Sequence, residues 1–147
     1  MKEPERIVGP AGMVVAENVR RFRSLGGGGS GIPYAELSRW LADRGHDIPP
    51  LGLRRIEAGQ RKVSVDDLVA LADVLSVSPL ALLLPDGGPA DIVAYRPDAL
   101  HDPDIASLWK WCLGLKPLDL SKPSLFRARS TPEWLTINAE VEGHGDD

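Results

Sequence analysis

Apolar residues recur at helical spacing along the first half of the chain and lose that regularity in the second. Val14, Val15, Val19, Phe22 and Leu25 fall near one face of a segment from Met13 to Leu25, with arginines between them. The run Gly26-Gly27-Gly28-Gly29-Ser30-Gly31 follows, a composition that predicts a flexible loop. Pro33 suits a helical first turn. From Tyr34 to Ala42, Leu37, Trp40 and Leu41 share a face, and Gly45 can end that helix. Pro49 and Pro50 force a turn over 46–50. A short helix from Leu51 to Ala58 comes next, with Leu53 and Ile56 inward and Gly59 as its stop. Ser64 reads as an N-cap, and Asp66 and Asp67 favour the start of a helix carrying Leu68, Leu71, Ala72 and Leu75. Ser78-Pro79 starts a fifth helix over Leu80–Leu84, stopped by Pro85. The pattern predicts an all-α domain of five short helices over 13–85.

Residues 1–12, rich in charge, proline and glycine, read as a loose N-terminal arm. Asp86-Gly87-Gly88-Pro89 marks a boundary, and 86–147 reads as a mostly irregular or helical C-terminal extension. Within it, Ile92–Tyr95 fits a short strand or a turn of helix. Ile105–Leu115 fits a helix carrying Leu108, Trp109, Cys112 and Leu115. The stretch from Lys116 to Trp134 holds three prolines and shows no clear period. Glu133–Ile137 suggests a short element, and the acidic end over 140–147 a frayed one.

Charge changes the picture. The whole chain carries a net charge of −4. From Arg20 to Lys62, however, nine basic residues face four acidic ones, while from Val63 onward six basic residues face fourteen acidic ones. A phosphate-binding surface needs local positive charge, not a basic protein. No apolar run is long enough to span a bilayer, and the N-terminus lacks the apolar core of a secretory signal. One cysteine, Cys112, permits no internal disulfide, which fits a cytoplasmic protein.

The informative stretch is Tyr34–Leu84. Ala35-Glu36-Leu37, then Leu53-Arg54-Arg55-Ile56-Glu57-Ala58-Gly59, then Leu68-Val69-Ala70-Leu71-Ala72 with Leu75-Ser76-Val77-Ser78-Pro79, follow one another in an order and spacing that resembles the Cro/C1-type (lambda-repressor-like, Xre-family) helix-turn-helix family. The resemblance covers about half of the chain. It implies that the Leu51–Ala58 helix enters the DNA major groove by its N-terminal end, while the helix before it lies across the backbone. Carried over residue by residue, the DNA-contacting set is Tyr34, Pro50, Leu51, Gly52, Arg54, Arg55, Gln60, Arg61 and Lys62. Arg55 is the best base reader, because arginine pairs bidentately with guanine. Tyr34 would meet a phosphate, and Gln60, Arg61 and Lys62 would clamp the backbone. Ala35 would be small to let two helices cross, and Glu57 would tie down a helix end or pair with an arginine of a neighbouring helix. The turn before the third helix is longer than the family's usual one, and Pro50 and Leu51 stand where polar residues are often found. Arg20, Arg21, Arg23, Arg39 and Arg44 read either as a solvated face or as phosphate contacts.

The resulting expectation is a sequence-specific double-stranded DNA-binding transcriptional regulator, a homodimeric repressor of phage or bacterial type. The alternative is a protein-interaction module, antitoxin-like or an anti-repressor subunit, using the same scaffold without specific DNA binding. No cofactor, metal or small-molecule ligand is expected, and no enzyme activity. His46, His101 and His144 are far apart, and no nucleophile elbow, phosphate loop or dinucleotide motif occurs. Trp109, Trp111 and Trp134 lie in the extension, which makes it a candidate dimerisation region, or else an enlargement of the core.

Overall fold

Pro10 opens the first helix: its fixed φ is already helical and its missing N–H is not needed there. A computed structural model describes residues 5–96, 101–119, 122–135 and 137. In it, α1 spans Pro10–Leu25. The residues just before it are not loose, since the Ile7 amide donates to the Gly59 carbonyl at 3.0 Å. The glycine run forms a hydrogen-bonded turn, with the Gly29 and Gly31 amides both donating to the Gly26 carbonyl. Gly27, Gly28, Gly29 and Gly31 all take positive φ, between 62° and 93°, a region that glycine enters without steric cost. The turn folds back onto the end of α1, where the Ile32 amide donates to the Arg23 carbonyl at 2.9 Å. Buried Ile32 then fills the space in which a Cβ on Gly26 would stand, 2.4 Å away.

Helix α2 spans Tyr34–Asp43 and buries Leu37 and Leu41. The following turn is tied to it by Ser38, whose hydroxyl donates to the Ile48 carbonyl at 2.7 Å. Helix α3 spans Pro50–Glu57 and buries Leu53 and Ile56. Helix α4 spans Val65–Leu75 and starts on a capping box between Ser64 and Asp67. Helix α5, Pro79–Leu83, is capped by Ser78. The apolar faces of α1 to α5 meet in one core around Val19, Leu37, Leu41, Leu53, Ile56, Leu71 and Leu82. Ala35 is exposed, so it marks no close helix crossing.

Three consecutive carbonyls at the end of α5 have lost helical partners, as helix ends do. Asn18 of α1 satisfies two of them, donating to Leu82 at 2.9 Å and Leu84 at 2.7 Å. The third, on Leu83, accepts from the Tyr95 hydroxyl at 2.9 Å. The Tyr95 pKa is pushed up to about 12 by burial, with Cys112 adding to it.

Tyr95 belongs to a second, smaller core, in which Val14 and Leu84 meet Tyr95 and Leu108, with Trp109, Trp111 and Cys112 packed around them. Helix α6, Ile105–Cys112, supplies Leu108 and is capped by Asp104. The backbone amide of Ser107 donates to that carboxylate and holds it below its ordinary pKa. Ile92 pairs with Asp104 in a single antiparallel bridge, and among the described residues there is no other β-pairing. Helix α7, Pro123–Ser130, buries none of its residues, which is why no apolar period announced it. The fold is all-α, and none of its described helices is long and apolar enough to cross a membrane. Trp134 is 82% exposed. Thr136 and residues 138–147, which include His144 and the acidic end, lie outside the described residues, as do 1–4 of the N-terminal arm.

A candidate anion-binding face on helix α3

With Leu53 and Ile56 turned into the core, helical geometry leaves Leu51, Arg54, Arg55 and Ala58 outward. The chain then reverses at Gly59, whose φ is 72° and whose Cβ, if present, would stand 2.6 Å from the Met13 sulfur. That reversal brings Gln60, Arg61 and Lys62 back alongside α3. Together with Ile7, Pro49, Leu51, Gly52 and Arg55 they line an open cavity of about 550 Å³. Its lining combines apolar Ile7, Pro49 and Leu51 with cationic Arg55, Arg61 and Lys62. Among the described residues, Arg54, Arg55 and Lys62 have no acidic partner within 4.0 Å.

Behind this face lies a buried carboxylate. Glu57 is bonded twice by Arg23 of α1, at 2.6 Å from Nε and 3.1 Å from Nη2, and once by the Tyr34 hydroxyl of α2. The side chains of Arg23 and Glu57 are 17% and 1% exposed. The hydrogen bond to Glu57 raises the Arg23 pKa, against the cost of its burial. Burial, reinforced by the Glu57 carboxylate, raises that of Tyr34. Three helices are thus fastened at one point.

A second polar knot joins the turn, the loop and α4. His46 Nε2 lies 2.7 Å from Asp67 Oδ1, and Arg61 Nη2 lies 3.6 Å from Asp67 Oδ2. The Asp67 carboxyl also accepts from the Ser64 amide at 3.0 Å. Burial alone would raise its pKa, but the hydrogen bonds from His46 and Ser64, with the Arg61 charge, outweigh burial and hold it below its ordinary value of 3.8. A folded value below the unfolded one means stability that is present above pH 3.8 and lost as the pH falls through the folded value. Thermal unfolding followed below that pH should therefore show an acid-induced drop that Asp67→Asn reduces. Identical acid profiles for the two proteins would rule this pair out as its source.

Of the residues expected at the site, Pro50, Leu51, Arg54, Arg55, Gln60, Arg61 and Lys62 lie on or beside one face. Two stand differently. Tyr34 is no outward phosphate contact, because its hydroxyl is committed to Glu57 and its ring is covered by Arg23 at 4.0 Å from the centroid. Gly52 is buried, with the Arg61 guanidinium over the place where a Cβ would stand, 2.9 Å away. Arg23 is a structural ion-pair partner, and Arg44 and Arg39 pair with Asp73 and Glu36. The sequence reading missed Asp67 and His46 as an anchor for Arg61. The capping position of Asp67 was the only signal. Among the described residues no three His, Cys, Asp or Glu side chains stand close enough to hold a metal ion.

No protein-family model matches the chain, and no curated protein matches it. A solved structure does: hydroxypropylphosphonic acid epoxidase from S. wedmorenis, at 24% identity and a TM-score of 0.43, over 62% of this chain and 44% of the epoxidase chain. The expectation of a sequence-specific, DNA-binding transcriptional regulator is withdrawn: none of these comparisons returns a DNA-binding regulator. The geometry of α3 gives the correction a physical reason. The exposed start of that helix, where base edges would be read, presents Pro50 and Leu51, whose side chains form no hydrogen bonds. A likeness this distant assigns no epoxidase activity to the chain either.

Proposed function

We propose that α2 and α3 form a Cro/C1-type helix-turn-helix scaffold whose α3 face docks the phosphates of a double-stranded nucleic acid. The observation that carries this reading is the group of cations gathered on and beside α3. Arg54 and Arg55 on α3, and Lys62 beyond the Gly59 reversal, lack acidic partners among the described residues, and Arg61 stands beside them. Charges left unpaired on one surface attract a polyanion and release its counterions. Gln60 adds an amide donor to the same lining. Leu51 is 56% exposed between these groups and offers apolar contact only. The face is suited to holding a backbone, and control of transcription is no part of this proposal.

The test is fluorescence anisotropy with duplexes of unrelated sequence at several salt concentrations. The wild-type protein should bind them with similar affinity and with strong salt dependence. Arg55→Ala combined with Lys62→Ala should reduce the slope of log K against log salt by roughly 2, one phosphate contact for each charge removed. Salt-independent binding, or a slope unchanged in the double variant, would remove the proposal.

A further inference from the structure

Arg54 stands apart from the other cations of this face because an aromatic ring supports it. Tyr34 is the first residue of α2, and its hydroxyl is fastened to Glu57, one turn beyond Arg54 on α3. Packing against the main core and under Arg23 also holds the ring in place. Arg23 covers it at 4.0 Å from the centroid, and the Arg54 guanidinium lies over it at 5.1 Å. Arg23 is consumed by Glu57, whereas Arg54 is exposed and has no acidic partner among the described residues.

Resting on the phosphate-docking reading above, we infer that Tyr34 is a positioning residue: its ring holds the Arg54 guanidinium at the α2 edge of the face, where it meets a phosphate. A long side chain loses rotamer freedom when it binds, and a cation already seated on a ring has lost much of it beforehand. The phenol makes no contact with the nucleic acid itself. Its hydroxyl serves Glu57 and its π-face serves Arg54. The ring and the hydroxyl therefore separate in experiment, because phenylalanine keeps one and lacks the other.

A double-mutant cycle on duplex binding tests this. Arg54→Ala, Tyr34→Leu, their combination and Tyr34→Phe are compared with wild type at a temperature where circular dichroism shows all five folded. Tyr34→Leu should weaken binding roughly two- to fivefold, the range of an exposed cation–π contact. In the Arg54→Ala background it should add nothing further. Tyr34→Phe should bind within about twofold of wild type, although it has lost the Glu57 hydrogen bond. In the protein without nucleic acid, the Arg54 side-chain NMR resonances should show a ring-current shift that Tyr34→Phe keeps and Tyr34→Leu abolishes. Additive losses in the double variant, or loss of binding in Tyr34→Phe equal to that in Tyr34→Leu, would overturn the inference while leaving phosphate docking intact. Absence of wild-type binding in the same assay would overturn both.

Discussion

Glu57→Ala should lower the unfolding free energy by about 3–5 kcal/mol, a large share of the roughly 5–15 kcal/mol that holds a typical domain together. The truncation strands the Arg23 guanidinium, which is 17% exposed, beside the Tyr34 hydroxyl. Most of the loss comes from that unpaired charge, not from the absence of attraction. Removing both charges separates the two contributions. Arg23→Met with Glu57→Met should recover much of the stability, because a buried ion pair exchanged for apolar side chains of similar volume is often near neutral. Urea denaturation of the three proteins decides the matter. A double variant as unstable as Glu57→Ala would show that the pair, and not merely its completeness, stabilises the fold.

Asn18→Ala should cost about 2–4 kcal/mol, by leaving two buried acceptors without donors and opening a small void. Its amide nitrogen serves the Leu82 and Leu84 carbonyls, while its oxygen accepts from Arg21 at 3.1 Å. Helix α5 has only five residues and no helical partner for those carbonyls. Asn18→Asp makes a sharper comparison. It preserves the volume and reverses the hydrogen-bond sense, so that an acceptor faces two acceptors. It should destabilise at least as much as alanine, in the same denaturation experiment at neutral pH. A milder effect of Asp than of Ala would mean that the void dominates.

The helices of the first half were legible because each is short, amphipathic and bounded by strong local signals. Pro33, Gly45, Gly59, the Ser64–Asp67 box and Ser78-Pro79 act over one turn, and the observed ends of α2, α3 and α5 fall within one residue of the expected ones. Glu57 was expected either to tie down a helix end or to pair with an arginine of another helix, and it pairs with Arg23. Tyr34 was read as a phosphate contact because the helix-turn-helix resemblance implied one at that position. Its actual partners lie 11 and 23 residues away, and only packing brings them together. The glycine run misled for a related reason. Composition reports what a chain is free to do, whereas four left-handed glycines within five residues report what the hydrogen bonds to α1 select. Helix α7 left no apolar stripe to find, and its proline start was its one local mark.

Helix α1 is a wall common to both cores. Val15 and Val19 face the larger one, while Val14, one position from Val15, faces the smaller. Asn18 and Tyr95, one from each side, close the same three carbonyls of α5. The segment around α6 therefore cannot melt without uncovering Val14 and Leu84 and freeing the end of α5. Loosening α5 in turn withdraws Leu82 from the larger core. The two clusters are consequently coupled in opening, and slow amide exchange in α1 should report a single cooperative unit that includes Leu108, some ninety residues along the chain from Val14.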